Sequence, residues 1–77
     1  MSKLEKLLER IKNNPKTVRF EELDKILTNA GYERAQPRGG SSHYTYRKVG
    51  RDAITIPYRR PYVAEVYVSK VLRALGV

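Results

Sequence analysis

The sequence predicts an α+β domain in which helices pack on one face of a three-stranded antiparallel sheet, in the order α-α-β-β-β-α. Three observations predict it. Apolar residues recur at helical spacing from Leu4 to Ala30, short segments separated by glycine turns follow, and an apolar run after Pro61 returns to helical spacing.

Leu4, Leu7, Leu8 and Ile11 stand at i, i+3, i+4 and i+7 behind Ser2, which suits an N-cap, so residues 3 to 12 read as an amphipathic helix. Asn13, Asn14 and Pro15 stop it. Phe20, Leu23, Ile26, Leu27 and Ala30 repeat the spacing, and Gly31 follows where a left-handed C-cap belongs. Glu21, Glu22 and Asp24 fall in the first turns of this second helix, where its dipole favours acidic groups.

Residues 32 to 38, 43 to 49 and 53 to 58 read as strands, with Gly39 and Gly40 at one turn and Gly50 to Asp52 at the other. Connections this short join antiparallel neighbours, which makes a meander with the second strand in the middle. Pro37 and Pro57 fall in the first and third strands, the edges, where a missing N–H is tolerated. Pro61 opens a final helix that runs to about Leu75. Val63, Val66, Tyr67, Val71 and Leu75 supply its apolar stripe and Val68 with Leu72 widens it, so burial over much of its girth is expected.

The chain has 77 residues, room for one small domain with a thin core. The absence of cysteine excludes disulfides and thiolate zinc sites. A single histidine without an acidic cluster near it argues against a transition-metal site, so no metal or other cofactor is expected. No apolar run approaches the roughly 20 residues of a membrane-spanning helix, which leaves a soluble cytoplasmic protein as the expectation.

Charge carries more information. Lys and Arg number 16 against 8 Asp and Glu, a net charge of +8. Residues 1 to 30 hold 7 basic and 5 acidic side chains, residues 31 to 77 hold 9 and 3, so the excess lies in the second half. A polyanion would dock there; a solvated basic surface is the competing explanation.

Side chains alternate along a strand, which puts His43, Thr45 and Arg47 on one side of the central strand and Tyr44, Tyr46 and Lys48 on the other. Ile54 and Ile56 are the natural cross-strand partners of the two tyrosines, so His43 belongs on an open, basic face. It follows Gly39, Gly40, Ser41 and Ser42, a turn with short or missing side chains whose N–H groups suit a phosphate. Imidazole exchanges protons near neutral pH, as phosphodiester cleavage by a ribose 2′-hydroxyl requires, and such cleavage needs no metal. Arg38, Gly40, Ser41, Ser42, Arg47, Arg59 and Arg60 are the candidate RNA-binding residues, Arg59 and Arg60 standing on a corner stiffened by Pro57 and Pro61. Each feature has an ordinary counterpart: a surface histidine, a plain hairpin loop, a solvated corner. Of the tyrosines, Tyr46 and Tyr67 fit the core better than base stacking.

The segment from Phe20 to Leu75, about three quarters of the chain, resembles the HicA-like mRNA interferase toxins. The resemblance rests on a helix ending in Gly31-Tyr32, a Gly-Ser turn before His43 with aromatic and basic residues behind it, Ile56-Pro57 followed by basic residues, and a closing helix containing Tyr67-Val68. It implies a fold like the double-stranded RNA-binding domain, mRNA cleavage that is ribosome-independent or linked to translation, and a HicB-like antitoxin that covers the active site. The family's catalytic histidine maps onto His43. In these terms residues 17 to 77 form the core and residues 1 to 15 a helical extension, free to pack on the domain's edge or to touch the antitoxin. Many members place Gly-Ser directly before the histidine; here Ser42 intervenes.

The main alternative is a non-catalytic RNA-binding module of the same fold. DNA binding through the last helix is disfavoured, since between Val63 and Leu75 only Lys70 and Arg73 are basic. No nucleotide fingerprint or carboxylate pair suggests a small-molecule enzyme.

Overall fold

A computed structural model describes residues 3–35 and 42–76. It contains α1 (Lys3–Asn13), α2 (Phe20–Asn29), β1 (Glu33–Ala35), β2 (His43–Arg47), β3 (Ile54–Pro57) and α3 (Glu65–Ala74). The sheet is antiparallel in the order β1-β2-β3, so the α+β class, the order of elements and the central place of β2 agree with the sequence expectation. Pro57 lies on an edge strand as expected, whereas Pro37 and the first glycine turn lie outside the described residues.

α1 is built into the core. Ile11 is 0% exposed, and Leu4, Leu7 and Leu8 pack partly buried against the same cluster. Arg10 forms an ion pair with Glu22 of α2. The other oxygen of Glu22 accepts the Arg19 N–H at 2.9 Å, so the start of α2 is capped by its own third residue. This is half of a capping box, because the arginine at the N-cap has no acceptor to return the bond. The ion pair is partly solvated and adds little; burial of the Ile11 side chain contributes more, on the order of 1.5–3 kcal/mol.

α2 ends as its glycine predicts. Gly31 has φ +99°, its N–H donates to the Thr28 carbonyl at 3.2 Å, and the Tyr32 N–H donates to the Leu27 carbonyl at 3.0 Å. These two bonds form a Schellman motif, which residues with a Cβ make only under strain. Lys48, on the core-facing side of the chain leaving β2, donates its Nζ to the Ala30 carbonyl at 2.7 Å. A cation thereby sits at the negative end of the helix dipole.

The start of α3 departs from expectation. The helix begins at Glu65, not Pro61, because the Val63 N–H donates to the Val18 carbonyl at 2.8 Å and holds residues 61–64 against the loop before α2. Val63 is buried there, outside any helix. Removing it from the periodicity shifts the phase. Val68 and Val71 are fully buried with Leu72 and Leu75 partly so, while Val66 is 60% exposed. α3 therefore buries one face, not most of its girth.

The core joins Ile11, Phe20, Leu23 and Leu27 from the first two helices to Tyr46, Ile54 and Ile56 from the sheet and Val68 and Val71 from α3. Among the described residues no helix is long and apolar enough to cross a membrane.

Candidate nucleic-acid interface

The register fixes which side chains share the open face of the sheet. His43 stands opposite Pro57, Thr45 opposite Thr55 and Ala35, and Arg47 opposite Glu33. His43 and Arg47 are exposed, while Tyr46 on the other side is fully buried, so the alternation read from the sequence holds. The Thr45 and Thr55 hydroxyls lie 3.3 Å apart and form a polar step beside the His43–Pro57 pair.

This face is less basic than expected. Within the described ladder Arg47 is its only cation, and it faces Glu33. Three residues of extended chain separate it from His43, four steps or about 13 Å. Arg47 and His43 therefore share a face without sharing a site. Arg38, Gly40 and Ser41 lie outside the described residues.

Ser42 and His43 stand at the same end of the sheet as the segment that carries Arg59 and Arg60, but the Arg60 guanidinium lies on the helix side, over Tyr58, and not on the open face of His43. The Tyr58 N–H donates to the Ser42 carbonyl at 2.6 Å and extends the ladder one residue past His43 and Pro57. Arg59 and Arg60 follow at once. Arg60 is held: its Nε donates to the Tyr58 hydroxyl at 2.7 Å and its guanidinium lies 5.6 Å from that ring's centroid. The bond to Tyr58 pushes the Arg60 pKa further up, so its charge is permanent. Arg59 is exposed and makes no ion pair among the described residues.

Tyr58 is a fixed post for Arg60 because Phe20 and Tyr44 hold it, with ring centroids 5.0 and 6.4 Å away. Neither Tyr44 nor Tyr58 is a free stacking platform; both are half-buried against the core. Beneath the middle of the sheet, Tyr46 Oη donates to Asp24 Oδ1 at 2.7 Å, and Arg34 Nη1 donates to the same oxygen at 3.1 Å. Burial, then the bond to Asp24, pushes the Tyr46 phenol well above its ordinary pKa and keeps it a donor. The strand that carries His43 is thus tied to α2 through its own side chain.

Sequence reasoning missed Lys16. With Arg59, Arg60, Tyr62 and Glu65 it lines a groove of about 350 Å³ between the loop before α2 and the start of α3. The Val18–Val63 bond brings these segments together, and nothing local to the Asn-Pro-Lys sequence signals it. Comparison with family models, with curated proteins and with solved structures finds no significant match in any of the three.

Proposed function

We propose that this chain is a metal-independent endoribonuclease of the HicA-like toxin type, acting on mRNA in the cytoplasm and neutralised by a HicB-like antitoxin. One observation carries the reading: His43 is exposed on the open face of the sheet and pairs with Pro57, two residues before Arg59 in the chain. The run α2-β1-β2-β3-α3 is compatible with a double-stranded RNA-binding-domain arrangement. The groove of Lys16, Arg59 and Arg60 suits a phosphate backbone.

In this reading His43 removes the proton of a ribose 2′-hydroxyl. The freed oxygen attacks phosphorus, the bond to the 5′ oxygen breaks, and that oxygen takes a proton from water or a neighbouring acid. A 2′,3′-cyclic phosphate and a 5′-hydroxyl result. Arg59 offsets charge developing on the phosphoryl oxygens, and the Thr45–Thr55 pair offers hydroxyls for orientation. The antitoxin would cover the His43 face. A second reading, a non-catalytic RNA-binding module, is favoured by the lining of the cationic groove, which includes neither His43 nor another residue of its strand.

The test is to incubate the purified protein with end-labelled mRNA in EDTA and to identify the termini. Fragments ending in cyclic phosphate support the nuclease. RNA bound but left intact assigns the binding module, and cleavage abolished by EDTA refutes the metal-free chemistry.

A further inference from the structure

The order β1-β2-β3 leaves the outer edge of β3 unpaired among the described residues. The phase of that edge follows from the Tyr58–Ser42 bond. Hydrogen-bonded pairs alternate along an antiparallel ladder, so Tyr44–Ile56 and Tyr46–Ile54 are bonded pairs and Thr45–Thr55 is not. Ile54 and Ile56 turn their N–H and C=O groups toward β2. Thr55 turns both outward, and Pro57 presents only a carbonyl. Ala53 and Thr55 are exposed.

α3 flanks this edge. Lys70 and Arg73 join Arg51, Ala53 and Thr55 around a groove of about 380 Å³, where Asp52 is the one acid. Arg51, Lys70 and Arg73 make no ion pair among the described residues. Val66, Lys70 and Arg73 stand at i, i+4 and i+7 on one helix face, so the 60% exposed valine continues the same stripe.

We propose that β3 accepts an extended acidic segment of a partner polypeptide as a fourth strand, with Arg51, Lys70 and Arg73 receiving its carboxylates. Strand addition takes its affinity from backbone bonds and its specificity from alternate side chains, and this edge offers both. A second copy of the chain fits poorly, because edge-to-edge pairing would set these cations against their own kind. A nucleic acid would use the cations but not the outward backbone groups of Thr55. The proposal concerns the outer edge of β3, where the Thr55 backbone points away from β2 and His43 although its side chain meets Thr45, and its test reads peptide binding and not RNA cleavage.

The test uses the full ¹⁵N-labelled chain and the capped peptide Gly-Glu-Val-Glu-Val-Glu-Gly. At saturation the exchange of the Thr55 amide should slow by about tenfold or more, while Ile54 and Ile56 are protected from the outset. The double variant Lys70→Glu/Arg73→Glu, or N-methylation of alternate peptide residues, should each weaken binding by about tenfold. Shifts confined to the cations with Thr55 unprotected, or equal affinity of the N-methylated peptide, would overturn strand addition. Protection of Thr55 that rises with protein concentration without peptide would assign the edge to a second copy. Short RNA that binds the three cations while the peptide does not would give the groove to nucleic acid.

Discussion

Replacing Tyr46 by Phe removes one oxygen from beneath the sheet and leaves the ring in place. Tyr46 is 0% exposed, and its hydroxyl donates to Asp24 at 2.7 Å. A hydrogen bond to a charged acceptor contributes about 1.5–3 kcal/mol. The lower end applies here, because the Asp24 side chain is 27% exposed and keeps Arg34 as a donor. Tyr46→Phe should therefore cost about 1.5 kcal/mol, a fall in Tm of roughly 6–12 °C for a domain of this size. Asp24→Ala should cost more, about 2–3 kcal/mol, since it strands a buried hydroxyl and deprives Arg34 of its partner. In the double variant the costs should fall short of additivity by about 1 kcal/mol. The sign of the pH effect follows from the raised phenol. Its contribution is complete below the ordinary tyrosine value near pH 10 and is lost as pH rises above it, because the unfolded chain releases the proton first. Wild type should lose stability above about pH 10 faster than Tyr46→Phe does. Denaturant melts of the four proteins in the cycle decide it: an unchanged midpoint for Tyr46→Phe, with Asp24→Ala additive to it, would refute the reasoning.

Three further outcomes are expected. Gly31→Ala should destabilise by about 1–2 kcal/mol, chiefly through the φ of +99° and less through the new Cβ, which would meet the flexible Lys48 side chain at 3.3 Å; a neutral result in urea melts would contradict the Schellman end of α2. Ile11→Ala should cost about 2–4 kcal/mol, and a loss below about 1 kcal/mol would detach α1 from the core. Arg59→Ala/Arg60→Ala should lower the slope of log affinity against log salt by about 1–2 in RNA-binding titrations, and Lys16→Ala should lower it further; an unchanged slope would remove this corner from the interface.

Where local chemistry decides a feature, the sequence was legible. The end of α2 follows from one glycine after a helical stripe, and the two faces of β2 follow from alternation, which puts His43 outward and Tyr46 inward. Where a tertiary bond decides, it was not. Val63 fits the helical period of α3, yet its N–H goes to Val18, and the same bond draws Lys16 toward Arg59. Alternation puts Lys48 on the side of Tyr46, but its role at the end of α2 depends on packing that strand periodicity does not contain. Arg47 shows a limit of face assignment, since it shares a side with His43 but stands at the far end of the strand opposite Glu33.

The central claim is that His43 performs proton transfer, and one comparison tests it most directly: cleavage rate, RNA affinity and melting temperature of wild type and His43→Ala in a single buffer. General acid-base catalysis is typically worth 10²- to 10⁴-fold, whereas ground-state binding is spread over several cations. The account predicts a rate reduced by at least about 10²-fold, affinity nearly unchanged, and a stability loss under about 1 kcal/mol, as suits an exposed strand position. A folded His43→Ala variant that binds RNA and cleaves it at close to the wild-type rate would contradict the claim.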